Sequence, residues 1–261
     1  MMDQLPLPKK IDVQPTDRPN EAIVTIEPCF PGYGMTLGNA LRRVLLSSLP
    51  GAAVSALAIK SVDHEFSAIP YVVEDVVTLI LNTKLIRFRL HEQEPVTVSL
   101  HVKGQKEVTA ADIKTTSDVD VVNPEQHIAT LTDPAAELEI EFTVTPGRGY
   151  VPVENREKEK LPLGTIAVDA IYTPVTNVNF EMEHVRVEQM TNFDRLIMTV
   201  RTDGTISPAE AVRQAASVLT QHFSFLETIA PAEEPTVAAP KKKRASKAKA
   251  EEAPSEEEKS A

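Results

Sequence analysis

The 261-residue chain has a single cysteine, Cys29, and no tryptophan. Cys29 cannot close an internal disulfide, which fits a reducing compartment. No run approaches eighteen apolar residues, so no stretch reads as a membrane-spanning helix. The opening MMDQLPLPKK lacks the apolar centre of a secretory signal, and the expected location is the cytoplasm. Positive charge is also short: 27 Lys and Arg stand against 38 Asp and Glu, a net charge of −11. Residues 231–261 hold seven of each sign, so the whole deficit lies in the remaining body. A chain that binds nucleic acid through its overall field is thereby excluded. Any service to nucleic-acid chemistry must pass through partners.

Catalytic patterns are missing as well. The sequence has no G-x-S-x-G elbow, no P-loop and no Cys–His nucleophile pair. Asp63-His64-Glu65 sets three potential metal ligands side by side, but consecutive side chains diverge and no second His/Cys cluster stands at ligand spacing. His184 is isolated and reads as a surface or packing residue. The expectation is no catalytic residue, no metal site and no cofactor in this chain.

What the sequence does have is centred on residues 31–51, PGYGMTLGNALRRVLLSSLPG. Between Thr36 and Leu49 run fourteen proline-free residues rich in good helix formers, with Thr36 as a possible cap and Pro50-Gly51 as the stop. Leu37, Ala40, Leu41, Val44 and Leu45 share one apolar face, while Asn39, Arg42, Arg43 and Leu46 share the opposite one. A leucine on the polar side means either a helix buried on both faces or a face reserved for another protein. Gly32, Gly34 and Gly38 have a spacing one residue too long for the dinucleotide fingerprint, and no doubly wound pattern follows. They read as serving a tight turn and close packing, with a nucleotide-binding enzyme kept as the alternative.

Along the rest of the chain, Ala22–Ile26 reads as a strand, Val54–Val62 as another, and Val72–Leu85 as an apolar helical segment. Strict alternation marks strands at Val96–Val102 and Leu138–Val144, with short strands and loops over 104–135 between them. Further strands are expected at Ile166–Tyr172, His184–Glu188 and Leu196–Arg201. Ser207-Pro208-Ala209-Glu210 then spells a capping box with proline at the first helical position. The helix it opens is expected to run to about Ile229. Val212, Ala216, Leu219, Phe223 and Leu226 form a heptad stripe on it, and Ala211, Val218, Phe225 and Ile229 a second stripe. One stripe serves the chain's own sheet; the other is met either inside the molecule or by a twofold mate. Residues 231–261 contain one valine and no aromatic, and their Lys241–Arg244 run is soon answered by glutamates. Such a tail is expected to be disordered.

LGNALRRVLLSSLPG, LTD at 131–133, GRGYVP at 147–152, VDAIYTPV at 168–175, RVEQ at 186–189 and DGTISPAEAVRQAA at 203–216 occur in order. Over residues 8–230 the chain resembles the alpha subunit of bacterial DNA-directed RNA polymerase. The resemblance implies an α+β fold. Residues 1–50 and 173–230 would form one discontinuous dimerisation domain of antiparallel sheet and two long helices. Residues 51–172 would form an inserted, mostly β domain, and 231–261 the tail. It implies a non-catalytic assembly subunit of a nucleotidyltransferase, which dimerises and scaffolds beta and beta-prime alongside omega and sigma. Mg²⁺ and the catalytic aspartates would sit on beta-prime, DNA would be met only through the holoenzyme, no membrane is involved, and the location would be the cytoplasm and its nucleoid. Asn39, Arg42, Arg43 and Leu46 would face beta, and Lys84 and Val168 beta-prime. Leu37, Leu41, Val212, Ala216, Leu219, Phe223 and Leu226 would lie in the dimer seam. The small helical promoter-binding domain that follows in the family finds no counterpart in the last 31 residues.

Overall fold

Every strand pairing is antiparallel in the computed structural model, which describes residues 5–156, 162 and 164–228. In chain order the elements begin β1 (Lys10–Pro15), β2 (Glu21–Cys29), α1 (Tyr33–Ser47), β3 (Pro50–Ile59), α2 (Val76–Thr83) and β4 (Phe88–Leu90). Next come β5 (Val96–Lys103), β6 (Lys106–Thr109), β7 (Ile113–Lys114), β8 (Val119–Val121), β9 (His127–Leu131) and β10 (Glu137–Arg148). The chain continues through β11 (Tyr150–Val151), β12 (Thr165–Ala167), β13 (Ala170–Ile171), β14 (Val175–Val187), β15 (Met190–Thr202) and α3 (Pro208–Glu227). The fold is α+β with three α-helices among the described residues.

Two sheets dominate. A four-stranded sheet runs β1-β2-β15-β14, so strands from the two ends of the sequence lie side by side. Its buried positions alternate along β2 as Ala22, Val24 and Ile26, and along β15 as Leu196, Met198 and Val200. Leu41, Leu45 and Leu49 from α1 and its exit, and Ala211 and Ala215 from α3, close this core. Removing a leucine of this size from water contributes about 2 kcal/mol. The second sheet runs β7-β5-β10-β3-β4-β8, with β12 also on β3. Val98, Leu100, Leu138, Ile140 and Phe142 meet Val76 and Leu79 of α2 in a separate core. The two cores share no residue.

Several boundaries differ from the sequence reading. Helix α1 starts three residues early, at Tyr33, because Gly32 turns the chain with φ of 84°, a left-handed conformation that glycine enters without strain. Thr36 is therefore interior, and its Oγ1 donates back to the Gly32 carbonyl at 3.5 Å instead of capping the helix. Strand β3 begins on Pro50 itself, since proline is tolerated as the first residue of a strand. The apolar segment at 72–85 is helical only from Val76, where the Asp75 carboxylate accepts the Thr78 N–H at 2.8 Å. The two short strands expected at 184–188 and 196–201 are instead a hairpin of two 13-residue strands. The strand expected at 166–172 is split into β12 and β13. At α3, Ser207 Oγ accepts the Glu210 N–H at 3.2 Å, but the Glu210 carboxylate turns forward to Arg213 and Gln214. Only half of the capping box forms. Ile229 and the tail 231–261 lie outside the described residues.

Candidate interaction surfaces

Glycines decide how α1 sits. At Gly34 an added Cβ would stand 2.7 Å from Met182 of β14, and at Gly38 2.8 Å from Phe180. Gly34 and Gly38 thus serve close packing of the helix on β14, and Gly32 serves the turn, which is the packing role the sequence suggested. Close approach on this side fixes which face of α1 points outward. Tyr33, Met35, Asn39, Arg42, Arg43 and Leu46 are exposed. Asn39 Nδ2 donates to the Met35 carbonyl at 3.1 Å and Ser47 Oγ to the Arg43 carbonyl at 2.7 Å, so these short polar groups are spent on the helix. The arginine ion pairs among the described residues belong to Arg18, Arg87, Arg195 and Arg213. Arg42 and Arg43 enter none. The outer face of α1 thus joins two guanidinium groups to the apolar ends of Met35 and Leu46, which are 51% and 37% exposed.

The opposite side of α1 belongs to this chain's own core. Leu41 is 6% exposed and Leu37 packs half-buried beside it. Within one chain both side chains pack on the core of the four-stranded sheet, and Leu37 keeps part of its surface free for a second copy.

Helix α3 grades from buried to bare along its length. Ala211 and Ala215 touch the core, with Val212 and Leu219 half-buried at its margin. The heptad stripe then emerges into solvent: Ala216 is exposed, and Phe223 and Leu226 are 61% and 53% exposed. Phe225 of the second stripe is 74% exposed. Aromatic side chains contribute strongly to association when they are buried, and this helix end presents two of them bare.

Lys84 and Val168 are linked through Asp169, the neighbour of Val168 in sequence. The Lys84 ammonium donates to Asp169 at 2.9 Å, and Asp169 also accepts the Val153 N–H at 3.0 Å. These contacts, the Lys84 bond first, hold the Asp169 carboxyl below its ordinary value. Val168 itself is 2% exposed, and its N–H donates to the Ser55 carbonyl at 2.9 Å. Its side chain supports the surface from beneath, while Lys84 and Asp169 form the surface.

One cluster escaped the sequence reading. His101, Glu137 and Glu139 have ligand atoms within 4.8 Å of one another, because β5 and β10 pair His101 with Glu139. The Lys60 ammonium lies 2.7 Å from Glu139 and that of Lys103 3.1 Å from Glu137. Cations of the chain itself already satisfy these carboxylates. Asp63, His64 and Glu65 are in a loop, and among the described residues His64 bonds the Ser67 side chain at 3.1 Å.

Residues 57–173 match the RNA polymerase Rpb3/RpoA insert domain family. Over 200 residues the chain is 50% identical to the DNA-directed RNA polymerase subunit alpha of Symbiobacterium thermophilum, covering 77% of this chain and 63% of that protein. The subunit of the same description from Alkaliphilus oremlandii is 48% identical over 205 residues, 78% of this chain and 64% of the relative. The chain is related to the bacterial RNA polymerase alpha subunits. A third such subunit, from Roseiflexus sp., is 50% identical over 219 residues, 82% of this chain and 66% of the relative. The chain spans a little under two thirds of the length of these alpha subunits. The matched insert starts inside β3 and ends just after β13, and it contains all of the second core except Val54.

Proposed function

We propose that the chain is a non-catalytic assembly subunit of a bacterial DNA-directed RNA polymerase. The reading divides it into a dimerisation domain, residues 1–50 and 173–230, and an inserted β-rich domain, residues 51–172. Two separate cores and the return of β14 and β15 to the β1–β2 sheet support that division. Two copies join through the bare end of α3, with Leu219, Phe223 and Leu226 at the seam, and the outer face of α1 receives beta through Asn39, Arg42, Arg43 and Leu46. Lys84, held by Asp169 over Val168, contributes the beta-prime contact. Omega, sigma and DNA are met only within the assembled enzyme, in the cytoplasm, and Mg²⁺ belongs to beta-prime. No helix among the described residues is long and apolar enough to cross a membrane.

The observation that carries this proposal is the outer face of α1, where arginines with no ion pair among the described residues and bare apolar side chains share a helix whose other face packs on the chain's own core. Affinity purification of the tagged chain from its own host tests it. Two much larger subunits should follow the tag at one copy each per chain dimer. Recovery of a monomer without them would sink the proposal.

A further inference from the structure

Two cores that share no residue need something else to hold them at one angle. The main chain passes between them twice, at Pro50–Gly51 and at Tyr172–Pro174, and the passages touch: no Cβ fits on Gly51 beside the Tyr172 carbonyl. Clefts flank this joint. One of about 530 Å³ is lined by Gly51, Phe88, Arg148, Ile206 and Gln214. Another of about 430 Å³ is lined by Asn20, Leu85, Arg87, Asn123 and Arg201. Two adjacent strands of chain between open clefts make a hinge unless side chains lock it.

Arg87 and Arg89 are placed to do so. They flank Phe88, which pairs with Ala52 of β3 just beyond the first passage. Arg89 Nε donates to the Thr205 carbonyl at 2.9 Å, and its Nη2 to the Gly204 carbonyl at 3.1 Å. Arg87 Nε lies 3.8 Å from Asp203 Oδ2, with the two side chains 19% and 7% exposed. Both ends of this grip are braced. The Arg87 N–H donates to Asn123 Oδ1 at 2.7 Å, and Asn123 Nδ2 donates to the Leu85 carbonyl at 3.0 Å. On the other side the Asp203 carboxylate accepts the Thr205 N–H at 2.9 Å, and the Asp203 N–H donates to the Pro174 carbonyl at 2.9 Å. The gripped turn leads directly into α3.

We infer that Arg87 and Arg89 are positioning residues, a clasp that locks the β-rich unit to the turn opening α3 and so fixes the distance between the Lys84 surface and the α1 face. The consequence for partner capture rests on the assembly reading; the clasp itself does not. A flexible joint would have to be frozen whenever both large partners bind, and a clasp removes that ordering cost beforehand. The planar guanidinium of Arg89 reaches two neighbouring carbonyls at once from two different nitrogens.

The test uses the full chain with spin labels at Asn179→Cys and Glu141→Cys, one in each unit, diluted with excess unlabelled chain. The parent should give one narrow distance, and Arg87→Ala/Arg89→Ala a broad or multiple distribution. An unchanged distribution overturns the clasp. In affinity purification the double variant should keep its dimer and beta but lose beta-prime by about fivefold or more. A broadened distribution with full beta-prime capture overturns the link to assembly. Should the parent chain capture neither large subunit, the assembly reading fails while the distance measurement still decides the clasp. If the double variant does not fold, Arg89→Met, which keeps the stem and removes the donors to Gly204 and Thr205, settles the matter by the same distances: a widened distribution supports the clasp and an unchanged one overturns it.

Discussion

The Asp194 carboxylate accepts the Gly32 N–H at 2.8 Å, joining β15 to the start of α1 across 162 residues of sequence. Helix α1 has no side-chain cap of its own, and a negative charge at a helix start is favourable. The Asp194 side chain is only 4% exposed, with His184 Nδ1 3.5 Å from its other oxygen. Burial first, and then the nearby Asp194 charge, push the Cys29 thiol up, which keeps it protonated and unreactive. Asp194→Ala removes the acceptor of the Gly32 N–H and empties the space of a buried carboxylate, and is expected to cost about 2 kcal/mol. Asp194→Asn keeps an oxygen acceptor and should cost less than half of that. Denaturant midpoints of the two variants check this; equal losses would show that the hydrogen bond is not what matters.

The exposed end of α3 leads to a second expectation. Phe223→Glu and Leu226→Glu should leave the fold intact, because neither side chain enters the chain's own core. They should abolish the dimer, since a charge placed in a dry seam costs about 3 kcal/mol or more. Leu219→Glu should in addition lower the melting temperature, because Leu219 packs against the core of its own chain. Sedimentation velocity and thermal melts separate the two effects. A stable dimer of Phe223→Glu would move the seam elsewhere.

How much of this could be read from the chain depended on whether a feature was local. The two faces of α1 follow from a 100° step per residue, and the exposure of Asn39, Arg42, Arg43 and Leu46 agrees with it. Strands β5 and β10 follow from strict alternation, because each has one face in the core and one in water. β14 reads short in the sequence because polar Asn177, Asn179, Glu181 and Glu183 interleave with apolar residues of which, beyond Val178, Phe180 and Met182 are only partly covered, on a strand at the sheet's edge. Thr36 was misread as a cap because Gly32, with nothing to accept a hydrogen bond, opens the helix, while the carboxylate that compensates comes from Asp194, far along the sequence. The apolar stripes of α3 were visible, but the face that meets the core takes Ala211 from one, Val212 and Leu219 from the other, and Ala215 from neither. The Arg87–Asp203, Arg89–Gly204 and His101–Glu139 relationships depend on register and topology, which no periodicity encodes.

Acid should expose the Lys84–Asp169 contact. The Lys84 ammonium, and after it the Val153 N–H, hold the Asp169 carboxyl below its ordinary 3.8. A folded-state value below the unfolded one means that the unfolded chain binds the proton more readily. The stabilisation is therefore complete above 3.8 and is lost as pH falls through the lowered value. Lys84→Met should destabilise the chain by about 1 kcal/mol near neutral pH, given that both side chains are partly exposed. The difference between parent and variant should shrink as pH falls below 3.8, where Asp169 begins to be protonated in both. Urea titrations at neutral and acidic pH check it, and a difference that stays constant would assign the loss to packing of the lysine stem.

The sharpest expectation concerns the two arginines of α1. Both are exposed, neither belongs to an ion pair among the described residues, and they point about 100° apart on the helix. Leu46 lies at the middle of the outer face, and Arg42 and Arg43 stand on either side of it. A guanidinium in an interface can make forked bonds to a partner's carboxylate or carbonyls, so its removal there costs about 2 kcal/mol or more. In open solvent the same truncation costs under about 0.5 kcal/mol. Arg43→Ala should thus leave the melting temperature and the dimer unchanged and reduce beta capture by about thirtyfold, the equivalent of 2 kcal/mol. Arg42→Ala should be milder if the partner approaches from the Asn39 and Arg43 side, and equally severe if it sits squarely over Leu46. Pull-down of beta by each purified variant, with circular dichroism beside it, distinguishes these geometries. Normal capture by both variants would leave the outer face of α1 as ordinary solvated surface.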